Sequence, residues 1–157
     1  MKLALYITLM LPLLSLQQPK PTLKQLRSLY RYSATDKDSS AKFLLLTTTV
    51  DSAATPILCC YKGVAQVIQA RFTGSPFSKL KKFNTGKLMI ENAIARDTLN
   101  VEMRLLRYNI QANAPAFLGY NGSLQKDEAF LKANCYKLDD AELKLMVNKA
   151  VAAPKSN

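Results

Sequence analysis

The chain contains no histidine and no tryptophan, only five glycines, and half as many acidic residues as basic ones, 11 against 22. Without histidine it lacks the commonest general base and the commonest metal ligand. Its three cysteines, Cys59, Cys60 and Cys135, show no C-x-x-C spacing, so a zinc site has no usual donor set. No Gly-rich phosphate loop, nucleophile elbow or metal-ligand spacing occurs, and no cofactor is implied. A hydrolase working with two carboxylates alone survives as the weakest reading, because its acids need not be neighbours in sequence. Asp139, Asp140 and Glu142 do cluster, but helix capping accounts for them. Binding, without catalysis, is the leading expectation.

Strand signals are also scarce: alternating β-branched runs closed by Asn-Gly or Asp-Gly are nearly missing. Leu, Ala, Lys and Met dominate, and they favour helix. The expected class is all-α, with six to seven helices. At 157 residues the chain suits one domain with its own core. Lys2, the apolar run Leu3 to Leu16 and the polar exit Gln17-Gln18-Pro19 have the layout of a secretory signal peptide. That run is short for a membrane span of about 20 apolar residues. The expected organisation is a leader over 1–17, cleaved near 15–18, a helical domain over 18–153 and a frayed tail over 154–157. Loss of Lys2 with the leader takes the formal charge from +11 to +10. Such an excess favours acidic partners: anionic lipid, lipopolysaccharide or acidic protein, with nucleic acid disfavoured by export. In an exported protein either Cys59 or Cys60 could pair with Cys135, or all three stay buried thiols. Oligomeric state is left open by the sequence.

Helix signals follow one another along the chain. Thr22 caps a helix with Leu23, Leu26, Leu29 and Tyr30 on its apolar side and Lys24, Arg27 and Arg31 elsewhere on its surface. A second starts near Asp36 or Asp38 and frays at Thr47 to Val50, where β-branched side chains lose rotamer freedom. Thr55-Pro56 opens a third, whose wide arc of Ile57, Tyr61, Val64, Ile68 and Phe72 marks a central helix. Gly63 costs about 1 kcal/mol there relative to Ala, which close approach of a neighbouring helix explains. Ser78 is expected to cap the fourth, with Phe83, Gly86, Ile90, Ala93 and Ile94 as its stripe. Asn100 caps a fifth to about Gln111, Ser123 a sixth from Leu124 to about Ala133, and Asp139 with Glu142 a seventh.

The stretch Phe83 to Glu102, FNTGKLMIENAIARDTLNVE, resembles one unit of the tetratricopeptide repeat. Gly86 and Ala93 fall on that motif's small positions, Ile90 stands for its usual aromatic and Thr98 for its terminal proline. An insertion at Thr73 to Lys82 separates the unit's two helices. The resemblance implies antiparallel hairpins stacked as a short array, binding a protein or peptide through the inner face of each first helix. On the fifth helix that face carries Glu102, Leu105, Asn109, Ala112 and Asn113. Asn109 and Asn113 lie four apart, suited to gripping an extended backbone. The segments SPFSK (Ser75 to Lys79), NVEMRLLRYNIQANAP (Asn100 to Pro115) and FLGY (Phe117 to Tyr120) look like a group of small exported helical proteins of Bacteroidota. That likeness implies a Gram-negative periplasm or cell envelope.

Two charged groups complete the candidates. Arg104 and Arg107, three apart, suit a carboxylate fork with Glu91 or Glu102, or an anionic ligand. From Ser52 to Ile90 there is no acidic residue, while Lys79, Lys81, Lys82 and Lys87 gather beside Phe77 and Phe83. That patch suits an anionic membrane or envelope polymer and is the second expectation for function.

Overall fold

In the computed structural model, which describes residues 20–154, helix α1 (Leu23–Ser33) begins with a reciprocal cap. The Gln25 N–H donates to the Thr22 hydroxyl, and the Gln25 side chain accepts the Thr22 N–H at 2.9 Å. The expected leader over 1–17, and the tail beyond 154, lie outside the described residues. Asp36 caps α2 (Lys37–Thr47) by accepting the Ser39 N–H at 2.6 Å, and the helix ends at its run of threonines.

Helix α3 (Pro56–Arg71) starts with proline at its first position, although the Thr55 hydroxyl makes no capping bond. It packs against α1, α2, α4 and α5 and is the central helix its wide apolar arc implies. Helix α4 (Pro76–Arg96) starts two residues before the expected cap at Ser78, with Ser75 as the flanking residue. Proline fits a first helical turn, where its missing N–H is unneeded. Only the turn 72–75 therefore separates α3 from α4, and the expected insertion does not exist. The five residues of the expected stripe on α4 are its five buried ones.

Asn100 caps α5 (Val101–Asn113) by accepting the Met103 N–H at 3.1 Å. A 3-10 turn over Ala116–Leu118 follows, then α6 (Leu124–Asn134), a second 3-10 turn at Cys135–Lys137 and α7 (Ala141–Ala152). The Ser123 side chain makes no capping bond. The cap of α7 is Asp140 rather than Asp139: its carboxylate accepts the Leu143 N–H at 3.0 Å. Glu142 then turns to α1 instead of closing a capping box.

The fold is all-α, with seven α-helices and no strand among the described residues. Helices α3 and α4 run antiparallel, since Cys59 meets Arg96 at one end and Val67 meets Gly86 further along. The core has two clusters. One surrounds α3, with Phe43, Tyr61, Val64, Ile90 and Leu106; the other joins α5, α6 and α7 through Leu105, Tyr108, Leu131 and Val147. Helix α5 stands between them. Nine of its thirteen residues are buried, its charged Glu102, Arg104 and Arg107 among them. All three cysteines are buried free thiols.

Candidate functional site

A groove of about 850 Å³ opens at one end of the bundle. Its walls come from the last turns of α1, α3 and α5, the first turns of α4, the turn after α1 and the loop after α5. Val67, Ile68, Phe83, Ile110, Pro115 and Leu118 supply its apolar surface. They face inward because their helices bury one stripe and stop together at this end. Tyr30, Arg31, Thr35, Arg71, Lys79, Asn109 and Asn113 supply its polar edge, and no Asp or Glu is among the lining residues. Such a site can hold an apolar body and meet negative charge at its rim.

Asn109 and Asn113 do line the groove, but their amides are engaged within the protein. Asn109 Nδ2 donates to the Tyr30 hydroxyl at 3.0 Å, and Asn113 Nδ2 to the Asn109 carbonyl at 2.9 Å. Burial pushes the Tyr30 phenol up to about 12, with the Asn109 bond acting in the opposite direction. It is neutral at ordinary pH. Glu102 and Leu105 are buried inside the fold, with Ala112, so the face expected from the repeat resemblance is not an open one. It closes because α5 is covered from both sides by the two core clusters.

Glu102 is instead the centre of a polar node. Arg27 holds it with two parallel bonds, Nε to Oε1 at 2.7 Å and Nη2 to Oε2 at 2.6 Å. The Tyr61 hydroxyl donates to Oε1 at 2.6 Å. Arg27 Nη1 also reaches Asp140 at 2.7 Å, and Arg31 reaches Glu142 at 2.9 Å. The node thus joins α1, α3, α5 and α7. Bonding to Glu102 raises the Arg27 pKa further despite burial. Arg27 is buried rather than on the surface, contrary to the sequence expectation. The signal was its position: Leu23, Arg27 and Tyr30 share one helical stripe, and a charge on an apolar stripe needs a partner.

Arg104 and Arg107 meet in a second node around Asp127 of α6, which is fully buried. Arg104 Nη1 lies 2.7 Å from Asp127, and Arg107 grips both its oxygens at 2.6 and 2.8 Å. Arg107 also pairs with Glu91 of α4 at 2.6 Å, and Tyr120 donates to Glu91 at 2.6 Å. Arg104 further donates to the Thr98 carbonyl. All three guanidinium nitrogens of each arginine donate to protein groups, and of the two carboxylates expected, Glu91 is the partner and Glu102 is not. Asp127 went unread in the sequence, though it too sits on an apolar stripe, between Leu124 and Leu131.

The four lysines do not form one patch. Lys79 lines the groove, while Lys81 lies roughly 200° away around α4 by helical geometry. Lys87 stands over the Tyr120 ring, 5.0 Å from its centre. Phe77 and Phe117, at 79% and 86% exposed, flank the basic end of α4 and the groove.

Groove and nodes together define a helical protein with an apolar, cation-rimmed cleft built on a charge-stitched frame. No protein-family model, curated protein or solved structure matches the chain. No helix among the described residues is long and apolar enough to cross a membrane.

Proposed function

We propose that this chain is an exported helical scaffold of the cell envelope that binds a protein or peptide in its end groove, without catalysis. The supporting observation is the groove itself: its interior is apolar, it is open to solvent, and its lining residues come from four helices and two connecting segments. Clefts of this size between helices are where small proteins take ligands. The test replaces Phe117 at the groove mouth, or Leu145 on the exposed side of α7, with a photo-crosslinking benzoylphenylalanine. A discrete protein adduct from position 117 alone, kept at moderate salt and abolished by Ile110→Asp, is the expected result. Equal labelling from both positions rejects the groove as the binding site.

A second reading is favoured by one observation, the exposure of Phe77 and Phe117 beside Lys79 and Lys82. Aromatic side chains with nearby cations suit peripheral binding to an anionic membrane or lipopolysaccharide, at about 1 kcal/mol per charge near the surface. Adducts with lipid that vanish at moderate salt distinguish this reading.

A further inference from the structure

We infer that the occupant of the groove is an amphipathic α-helix whose apolar stripe is flanked by acidic residues. The inference rests on the groove being a peptide site and adds the conformation and charge of what enters it.

Conformation follows from what the walls offer. An extended peptide leaves every backbone N–H and C=O in need of a partner, which sheet edges normally provide. The described residues contain no strand and so no edge. The two wall amides suited to the task each already give an N–H to the protein, Asn109 to Tyr30 and Asn113 to the Asn109 carbonyl. A helix satisfies its own backbone and asks a groove only for apolar contact. Val67, Ile68, Phe83, Ile110 and Leu118 give that contact.

Charge follows from the rim. Arg31 shares Glu142, but Arg71 and Lys79 form no ion pair among the described residues. Arg71 lies in the last turn of α3, where a cation suits the exposed carbonyls. Lys79 has no such excuse. It lies at the start of α4, followed by Lys81 and Lys82, with no acid in the first turn. Positive charge in the first turn of a helix opposes the helix dipole, so Lys79, the fourth residue of α4, weakens the helix that carries it. An acidic partner along the rim offsets that cost and explains the placement of Lys79, the one of the three that lines the groove.

The experiment uses the purified full chain and three fluorescein-labelled designed peptides of about 18 residues, long enough to populate helix. One has a leucine stripe flanked by glutamates, the second the same stripe flanked by lysines, the third the glutamate version broken by a central proline. Fluorescence anisotropy at low and moderate salt should show the glutamate peptide binding roughly tenfold tighter than the others, with salt weakening it. The folded double variant Arg71→Glu with Lys79→Glu, both at exposed positions, should reverse the preference toward the lysine peptide. Equal affinity for the glutamate and lysine peptides overturns the charge assignment. Equal affinity for the proline-broken peptide overturns the helical one, and in both cases the groove stands as a peptide site. Binding of none of the three, with binding to phosphatidylglycerol vesicles instead, overturns the inference and the peptide reading together.

Discussion

Gly63 on α3 and Gly86 on α4 face each other so closely that a methyl group on Gly63 would stand 2.7 Å from the Gly86 carbonyl oxygen. A methyl group on Gly86 would meet the Gly63 carbonyl oxygen and lie 2.7 Å from Val67 Cγ2. Each glycine admits the other's backbone. The helix-weakening effect of two glycines is accepted for a contact that no larger residue permits. Val67, which backs this seam, also lines the groove, so the seam sets the position of the groove's inner wall.

Gly86→Leu should therefore destabilise severely, and Gly63→Ala by about 1–3 kcal/mol, the usual range for overpacking. Gly74, with nothing near an added Cβ, is the control: Gly74→Ala should leave stability unchanged or slightly raised. Urea unfolding followed by circular dichroism measures all three. An unchanged midpoint for Gly86→Leu would remove the packing argument.

Arg27→Ala leaves Glu102, only 5% exposed, with a single partner in Tyr61. Breaking a buried ion pair from one side costs about 3–5 kcal/mol. The double variant Arg27→Met with Glu102→Met should recover most of that loss, because no uncompensated charge remains. Chemical denaturation of the two single variants and the double variant gives the coupling. Strict additivity of the single losses speaks against the node.

Asp127→Asn should destabilise by a comparable amount, about 3–5 kcal/mol. Among the described residues it removes the only charge that faces both Arg104 and Arg107 at the α5–α6 contact, and Glu91 reaches Arg107 alone. Hydrogen exchange should show faster opening of α6, which carries Asp127, than of α3, which contributes no side chain to this node.

Acid should weaken the fold through Asp140. Its carboxyl lies below the ordinary range because it accepts the Leu143 N–H and, next in importance, the Arg27 guanidinium. A depressed native value contributes stability that is fully present above the unfolded value of about 3.9. It is lost as pH falls through the native value. Asp140→Asn, which keeps a capping side chain, should flatten that acid limb in a pH series of urea midpoints. At the alkaline end the sign reverses: Tyr30, at about 12, holds its neutral form in the fold. Its contribution is whole below about pH 10, its unfolded value, and falls as pH rises toward the native one. Tyr30→Phe should lessen the alkaline loss.

Much of the architecture could be read from the chain. The Thr22 and Asn100 caps, a start of α2 near Asp36 or Asp38, Pro56 at a first turn and the stripe of α4 are relationships between residues a few positions apart. So was the importance of Gly63 and Gly86, since a glycine on a buried helical face implies a close neighbour. Errors arose where two local solutions compete. Asp139 and Asp140 both suit a cap, and Asp140 takes the role while also receiving Arg27 from α1. Ser75 and Ser78 both suit the start of α4, and Pro76 decides for the earlier one.

The candidate site was less legible. Asn109, Asn113 and Lys79 are expected site residues and do line the groove, whereas Ile68 and Phe83 of its apolar wall read in the sequence only as buried helix faces. Glu102 was assigned to an open face and lies inside, held by Arg27 across 75 residues of sequence. Composition, spacing and capping determined the helices, because those effects act within a turn or two of the chain. Which charges are buried, what each one holds and where the bundle stays open were decided only by packing. They depend on segments as distant as Arg27 and Asp140, 113 residues apart, whose meeting no local pattern encodes.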